Sequence, residues 1–202
     1  MLLIVEAMRY SSEHKQKTRA SILTAAGQLF RKEGYGGSGI DGLTRAAGVT
    51  NGAFYGHFRS KSEAFRAAVA SGLEDLRLAV GQLKADGGPS WLKNFVDIYL
   101  GAKRTCDLGE SCALPSLSPD VIRADVDTRA TYEAELKRLI AEVADGLAGA
   151  ETQRSDDAIA LLALLTGGVT LARAVPDKAF GERIAAIVKQ RALEMTTHPD
   201  TA

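Results

Sequence analysis

Apolar residues recur at helical spacing along most of this chain. Ile22, Ala25, Ala26, Leu29 and Phe30 stand at i, i+3, i+4, i+7 and i+8, and predict an amphipathic helix from about Lys15 to Glu33. Gly34 supplies its stop. Ser38, with Asp41 three residues on, reads as the cap of a short second helix ending at Gly48. Ser60 and Glu63 form a capping box before a longer helix, whose stripe is Phe65, Val69, Gly72, Leu73, Leu76, Val80 and Leu83. "DGGPS" at 86–90 breaks the pattern, and Ser90 is expected to cap a helix from Trp91 to about Cys106. Ser118 followed by Pro119 reads as an N-cap and first helical residue, opening a helix to about Leu147. Ser155 is expected to cap another that ends near Val175. Pro176 or Asp177 starts the last, with Phe180, Ile184, Ile187, Val188 and Arg191 on one side. No alternating strand pattern appears, so the expected fold class is all-α, with about nine helices.

Charge divides this helical chain unevenly. Residues 1–66 hold ten Lys/Arg against five Asp/Glu; the remainder holds fifteen against twenty. A basic end joined to an acidic body points to an anionic partner for the first part, although surface scatter gives the same count. "MLLIVEAM" is apolar but lacks a basic leader and a cleavage site, and Met8 is an alternative start because Met1–Ala7 fits no helical stripe. The longest uncharged apolar run, Ala158–Ala172, is short for a bilayer. No membrane partner and a cytoplasmic location are therefore expected. The two cysteines do not make a secreted scaffold, and C-x5-C with three histidines elsewhere is a poor metal site. No cofactor, catalytic constellation or phosphate-binding loop stands out, so no enzyme is expected.

The stretch "AAGVTNGAFYGHF", Ala46–Phe58, carries the most information. Gly48 turns the chain, and Phe54 and Phe58 at i, i+4 face inward. Thr50, Asn51, Gly52, Ala53, Tyr55 and His57 then lie on or near the outside. A short helix propped outward on a basic end suits a major-groove reader. Asn51 donates and accepts at a base edge, with adenine its favoured partner. Tyr55 and Thr44 are candidate phosphate contacts, as is Lys61 at the next helix start. Spacing alone leaves plain packing of two helices equally open.

The residues "TRASILTAAGQLFRKEGYGGSGIDGLTRAAGVTNGAFYGHFRSKSEAF" resemble the N-terminal domain of TetR-family transcriptional regulators, over about Gln16 to Val80. The resemblance implies that Thr50, Asn51, Gly52 and Ala53 form the groove face. Tyr55, His57 and Lys61 become groove-edge and phosphate contacts, and Ser38 a phosphate contact that caps the second helix. His57 has the alternative of filling the gap between helices. Gly56 and Thr44 depart from the family's common pattern; Gly56 puts a contact in doubt and Thr44 adds one. The implied layout is an N-terminal arm at 1–14, a helix-turn-helix DNA-binding domain at 15–62 with its reading unit at 39–58, and a ligand-binding and dimerisation domain at 63–202.

The body's own residues agree with that layout. The Ser155–Val175 helix is apolar nearly all round and needs cover on both sides, from its own core and from a partner subunit or from one subunit alone. The expected dimer surface is Leu161, Leu164, Leu165, Gly168, Leu171, Ile184, Ile187 and Val188, with Gly167–Gly168 allowing close approach. Trp91, Phe95, Tyr99, Cys112, Leu114 and Tyr132 are candidate effector-pocket residues, with ordinary core as the alternative. Part of the family carries a cysteine-bearing turn like "GESCALPSL", which makes Cys112 a candidate sensing thiol or an inert one. The expected function is a homodimeric regulator that binds operator DNA, a repressor released by a small-molecule effector. A helical ligand-sensing or interaction protein with weakened DNA binding is the alternative, and an enzyme the more distant one.

Overall fold

The computed structural model describes the backbone of residues 2–196 and the side chains of 15–195. Among the described residues there are ten α-helical segments and no strand, and eight of the helices exceed five residues. The all-α expectation holds. The helices are α1 (Leu2–Gly37), α2 (Ile40–Ala47), α3 (Asn51–Tyr55), α4 (Lys61–Gly87), α5 (Trp91–Leu100), α6 (Ala102–Thr105), α7 (Ala113–Val121), α8 (Val126–Asp145), α9 (Glu151–Ala174) and α10 (Lys178–Thr196). Short 3-10 turns cover Gly88–Ser90 and Leu108–Glu110.

Several expected boundaries move. The first helix already runs from Leu2, so the segment expected to be an arm is helical. Gly34 breaks it as expected, at φ 72° and ψ 169°, and the Tyr35 N–H there donates to Asp120 Oδ2 at 2.7 Å. Ser60 caps α4 by accepting from the Glu63 N–H, but Glu63 reaches back to the Arg59 N–H, one residue earlier than a capping box requires. Ser90 lies in the 3-10 turn and caps nothing. Gly101 interrupts the helix expected to reach Cys106. Pro119 does not open a helix: it sits inside α7, two residues before the end, where the missing N–H costs one hydrogen bond. Ser118 bonds the Leu114 carbonyl oxygen and pairs with the Tyr132 hydroxyl instead. Asp125 is the cap of α8, accepting from the Thr128 N–H at 2.7 Å. Ser155 lies within α9, which begins at Glu151 without a side-chain cap. Asp177 does start α10, accepting from Ala179 and Phe180.

Two apolar cores meet along α4. Ile22, Phe30, Leu43, Phe54, Phe58, Phe65 and Val69 form the first, which Leu117 and Val121 of α7 complete. Val80, Phe95, Tyr99, Leu139, Leu161, Leu165 and Val169 belong to the second. α4 therefore supplies residues to both, and a boundary at 62/63 passes through its first turn. By length and apolarity α9 is sufficient to cross a bilayer, at mean hydropathy 1.5 over its most apolar window. Here one face of it is core, and it packs against α10, α8, α7 and α5.

Ion pairs and one close approach lock α4 in place. Arg77 bridges Glu74 and Glu142, and Lys84 bridges Glu142 and Asp145, joining α4 to α8. A Cβ on Gly72 would come 2.4 Å from the Ala113 Cβ, so only glycine lets α4 and α7 approach this closely. Gly72→Ala should lower stability by about 1–3 kcal/mol in a denaturant titration, because the Ala113 methyl has no rotamer to yield with. Gly42→Ala meets only the Leu29 Cδ2 at 3.5 Å and should be neutral or stabilising by up to about 1 kcal/mol. The Ser62 hydroxyl and then the Thr128 N–H pull the Asp125 carboxyl down to about 2. Its stabilisation is thus complete above the unfolded value of ~3.9 and fades as pH falls toward 2. Asp125→Ala should cost about 1 kcal/mol at neutral pH, the loss of an N-cap, and the gap to wild type should close over that acid window.

Candidate nucleic-acid interface

The helix-turn-helix is built as its residues dictate. Gly48 closes α2 in the left-handed conformation, at φ 66° and ψ 31°, while the Val49 N–H returns to the Thr44 carbonyl oxygen at 2.9 Å. The Thr50 hydroxyl caps α3 by accepting from the Ala53 N–H at 3.1 Å. Phe54 and Phe58 are fully buried, their rings 5.7 Å apart. On the other side, Thr50, Asn51 and Gly52 are exposed, Ala53 is half-buried and Tyr55 is 53% exposed.

Asn51 is pre-oriented. Its Nδ2 donates to Asp41 Oδ1 at 3.1 Å, and its Oδ1 accepts from the Thr44 hydroxyl at 3.0 Å. An amide carries two donor hydrogens and two acceptor lone pairs, so one of each is left for a base edge.

Two expected contacts are corrected. Thr44 is buried and meets Asn51 rather than solvent, so it orients the Asn51 amide and is closed to a phosphate. Ser38 is fully buried, its hydroxyl bonded to the Gly34 carbonyl oxygen at 2.8 Å, and Gly39 is the N-cap of α2. It is neither cap nor phosphate contact. His57 is half-buried, with Nδ1 shut away from solvent and from any partner among the described residues. Burial, then the charges of Lys15 and Arg19, lower its pKa, so it presents a neutral ring at pH 7. Lys61 lies over the Tyr35 ring, 4.1 Å from its centroid. Gly56 closes α3 at φ −70°, which any residue adopts; a Cβ would sit 3.3 Å from the Ala53 carbonyl oxygen, a tight contact that glycine avoids.

Lys15, Lys17, Arg19, Arg45 and Arg59 are exposed cations on the helix-turn-helix segments or beside them, and none was singled out by motif. Arg19 stacks on the Phe58 ring at 4.7 Å. The basic excess of residues 1–66 signalled such a group without naming its members.

The body's expected residues separate into three sets. Phe95, Tyr99 and Cys112 line a cavity of about 290 Å³, whereas Leu114 and Tyr132 line a second one of about 230 Å³. Trp91 lines neither; its indole N–H donates to the Gly146 carbonyl oxygen at 3.1 Å, a structural role. Burial pushes the Cys112 thiol up, against a Tyr99 interaction that lowers it, which disfavours the thiolate there. Of the expected dimer surface, Leu161 and Leu165 are fully buried within the subunit, and Gly168 receives Val188 of α10, a Cβ there falling 2.7 Å from Val188 Cγ1. Leu161, Leu165 and Gly168 are thus consumed internally, and Val188 in part. Leu164 and Ile184 stay half-exposed, and Leu171 and Ile187 stay exposed.

Known proteins share this arrangement. Residues 22–68 match the family model described as bacterial regulatory proteins, tetR family. The HTH-type transcriptional regulator AcrR of Shigella flexneri is 40% identical over 57 residues, 28% of this chain and 26% of that protein. The chain thus aligns with about a quarter of that relative's length. An uncharacterised HTH-type transcriptional regulator from the lacX 3' region of Lactococcus lactis is 28% identical over 169 residues, covering 80% of this chain and 86% of its own. Reduced NemR of E. coli shares the fold, with a TM-score of 0.72 at 22% identity over 86% of this chain and 96% of that one. A TetR-family regulator from Agrobacterium tumefaciens does so with a TM-score of 0.72 at 18% identity, over 88% and 98%. Residues 22–68, the helix-turn-helix head, thus match the TetR family of bacterial regulatory proteins, and the fold that carries them is shared with solved TetR-family structures.

Proposed function

We propose that this protein is a dimeric, DNA-binding transcriptional regulator, a repressor that a small molecule releases from a palindromic operator. The observation that carries the reading is Asn51, held outward on α3 by Asp41 and Thr44 with half its hydrogen-bonding capacity open. Gly52 and Ala53 beside it let the backbone approach base edges, and the cations around it suit phosphates. The family placement and the regulator names of the relatives support the same reading, and a DNA partner implies a cytoplasmic location.

The dimer rests on α9 and α10. Leu171 is 60% exposed, Ile187 50% and Phe180 49%, an apolar face that the subunit itself leaves open. A twofold partner covers such a face with its own copy. It also sets two reading helices about 34–36 Å apart, the spacing of successive major grooves.

Operator affinity should fall steeply with salt, with a log–log slope near −0.9 for each phosphate contacted; a flat dependence removes the DNA-binding reading. Asn51→Ala should cost about 1–3 kcal/mol on operator and little on random DNA. Thr44→Val should reproduce part of that loss, roughly 1 kcal/mol, by freeing the Asn51 amide. Sedimentation of Leu171→Glu with Ile187→Glu should give a folded monomer that binds operator at least tenfold more weakly, since each tenfold is about 1.4 kcal/mol of lost second-site binding.

A further inference from the structure

The 290 Å³ cavity lies where the head meets the body, and one wall of it is Arg31, a residue of α1. The Arg31 Nε–H donates to the Gly109 carbonyl oxygen at 2.7 Å. A guanidinium has four further N–H donors, and among the described residues no carboxylate lies within ion-pair distance of Arg31. Arg31 is half-buried, and burial lowers its pKa, opposed chiefly by Glu110. It remains a cation that has lost part of its hydration without gaining a counter-ion.

Tyr99, another residue of the cavity wall, carries a second orphaned group. The Tyr99 hydroxyl is buried and makes no hydrogen bond of good geometry among the described residues. Its polar neighbours are the Cys112 thiol, the Thr166 hydroxyl and Tyr132, and the Thr166 hydroxyl is also without a partner among the described residues. Between the two groups the walls are apolar, with Leu76, Leu83, Phe95 and Ile98. The remaining charges sit at the rim. Asp75 and Glu110 are exposed, Glu110 being held by Gln28 at 2.7 Å, while Lys103 donates to the Glu110 carbonyl oxygen at 3.2 Å. Rim carboxylates in water repel an incoming anion weakly, whereas the desolvated Arg31 gains most from one.

Resting on the effector reading above, we infer that this cavity takes a small ring carboxylate, its carboxylate forked onto Arg31 and its ring between Phe95 and the leucines, with a ring hydroxyl directed to Tyr99. The volume is at the lower limit for ligand pockets, which suits a single ring. Pairing of a guanidinium with a carboxylate is bidentate and charge-assisted. Because Arg31 belongs to the head's first helix and Gly109 to the body, a carboxylate that competes for Arg31 acts on the seam between them.

Calorimetric titration of the full chain with benzoate and 4-hydroxybenzoate, against benzamide and 4-hydroxybenzamide, tests the class. The acids should bind at least tenfold more tightly than the amides. Arg31→Met should abolish that preference without changing amide binding, Arg31→Lys should keep part of it, and Tyr99→Phe should weaken the hydroxylated acid selectively; thermal melts confirm that each variant is folded. Equal binding of acid and amide, a preference that survives Arg31→Met, or no binding of any probe overturns the proposal. Acids that bind as stated but leave the operator complex intact would keep the ligand class and overturn the effector reading. Release of operator by a neutral or cationic ring compound, with the acids inert, does the reverse.

Discussion

Five residues make little more than one helical turn, and Asn51–Tyr55 includes a glycine. Alone in water that segment would not be helical, because nucleation consumes more conformational freedom than one turn of hydrogen bonds returns. What holds it is the burial of Phe54 and Phe58 against α1, α2 and α4, in the same core as the edge-on Phe30–Phe65 pair and Tyr35. Two buried rings anchor the inner side, so the outer side need contribute nothing to the core beyond the Thr50 cap. It carries Thr50, Asn51, Gly52 and Tyr55, small or polar residues that contribute little to a core.

The same anchoring ties the head to the body. Phe65 and Val69 belong to α4, and α4 continues to Val80 in the second core. Around this shared helix are smaller links: Tyr35 to Asp120, Arg31 to Gly109, and Ser62 to Asp125. Each joins a residue near the helix-turn-helix to one beyond 108. Any movement of one part against the other would have to exchange these specific hydrogen bonds.

Much of the head was legible from local pattern. The stripe Ile22, Ala26, Phe30 and the pair Phe54, Phe58 encode burial by period alone, and Gly48 and Ser60 mark ends through chemistry that involves only their near neighbours. Several serines expected to cap helices do not cap them. Ser38 turned inward to Gly34, Ser118 bonded Leu114 and Tyr132, and Ser155 stayed within a helix that had begun four residues earlier. A hydroxyl satisfies many acceptors, so its position in a sequence does not name its partner. Thr44 belongs with them: its departure from the family pattern is a support for Asn51.

The order of apolar and polar residues by itself determined an all-α chain, the turn at Gly48, the inward rings and the outward Thr50–Ala53 face, because each follows from interactions within a few residues. Only the tertiary structure decided which apolar side of α9 is spent inside the subunit, since α10 fills it with Val188 against Gly168 and leaves Leu171 outside. It also divided the aromatic set among a strut at Trp91 and two cavities. And it alone brought Arg31, one charged residue among many in a helical stripe, to the wall of a cavity 41 to 82 residues away in sequence, where packing left it without a carboxylate partner among the described residues. Period encodes which face is buried; the identity of what lies across that face is a property of the folded chain.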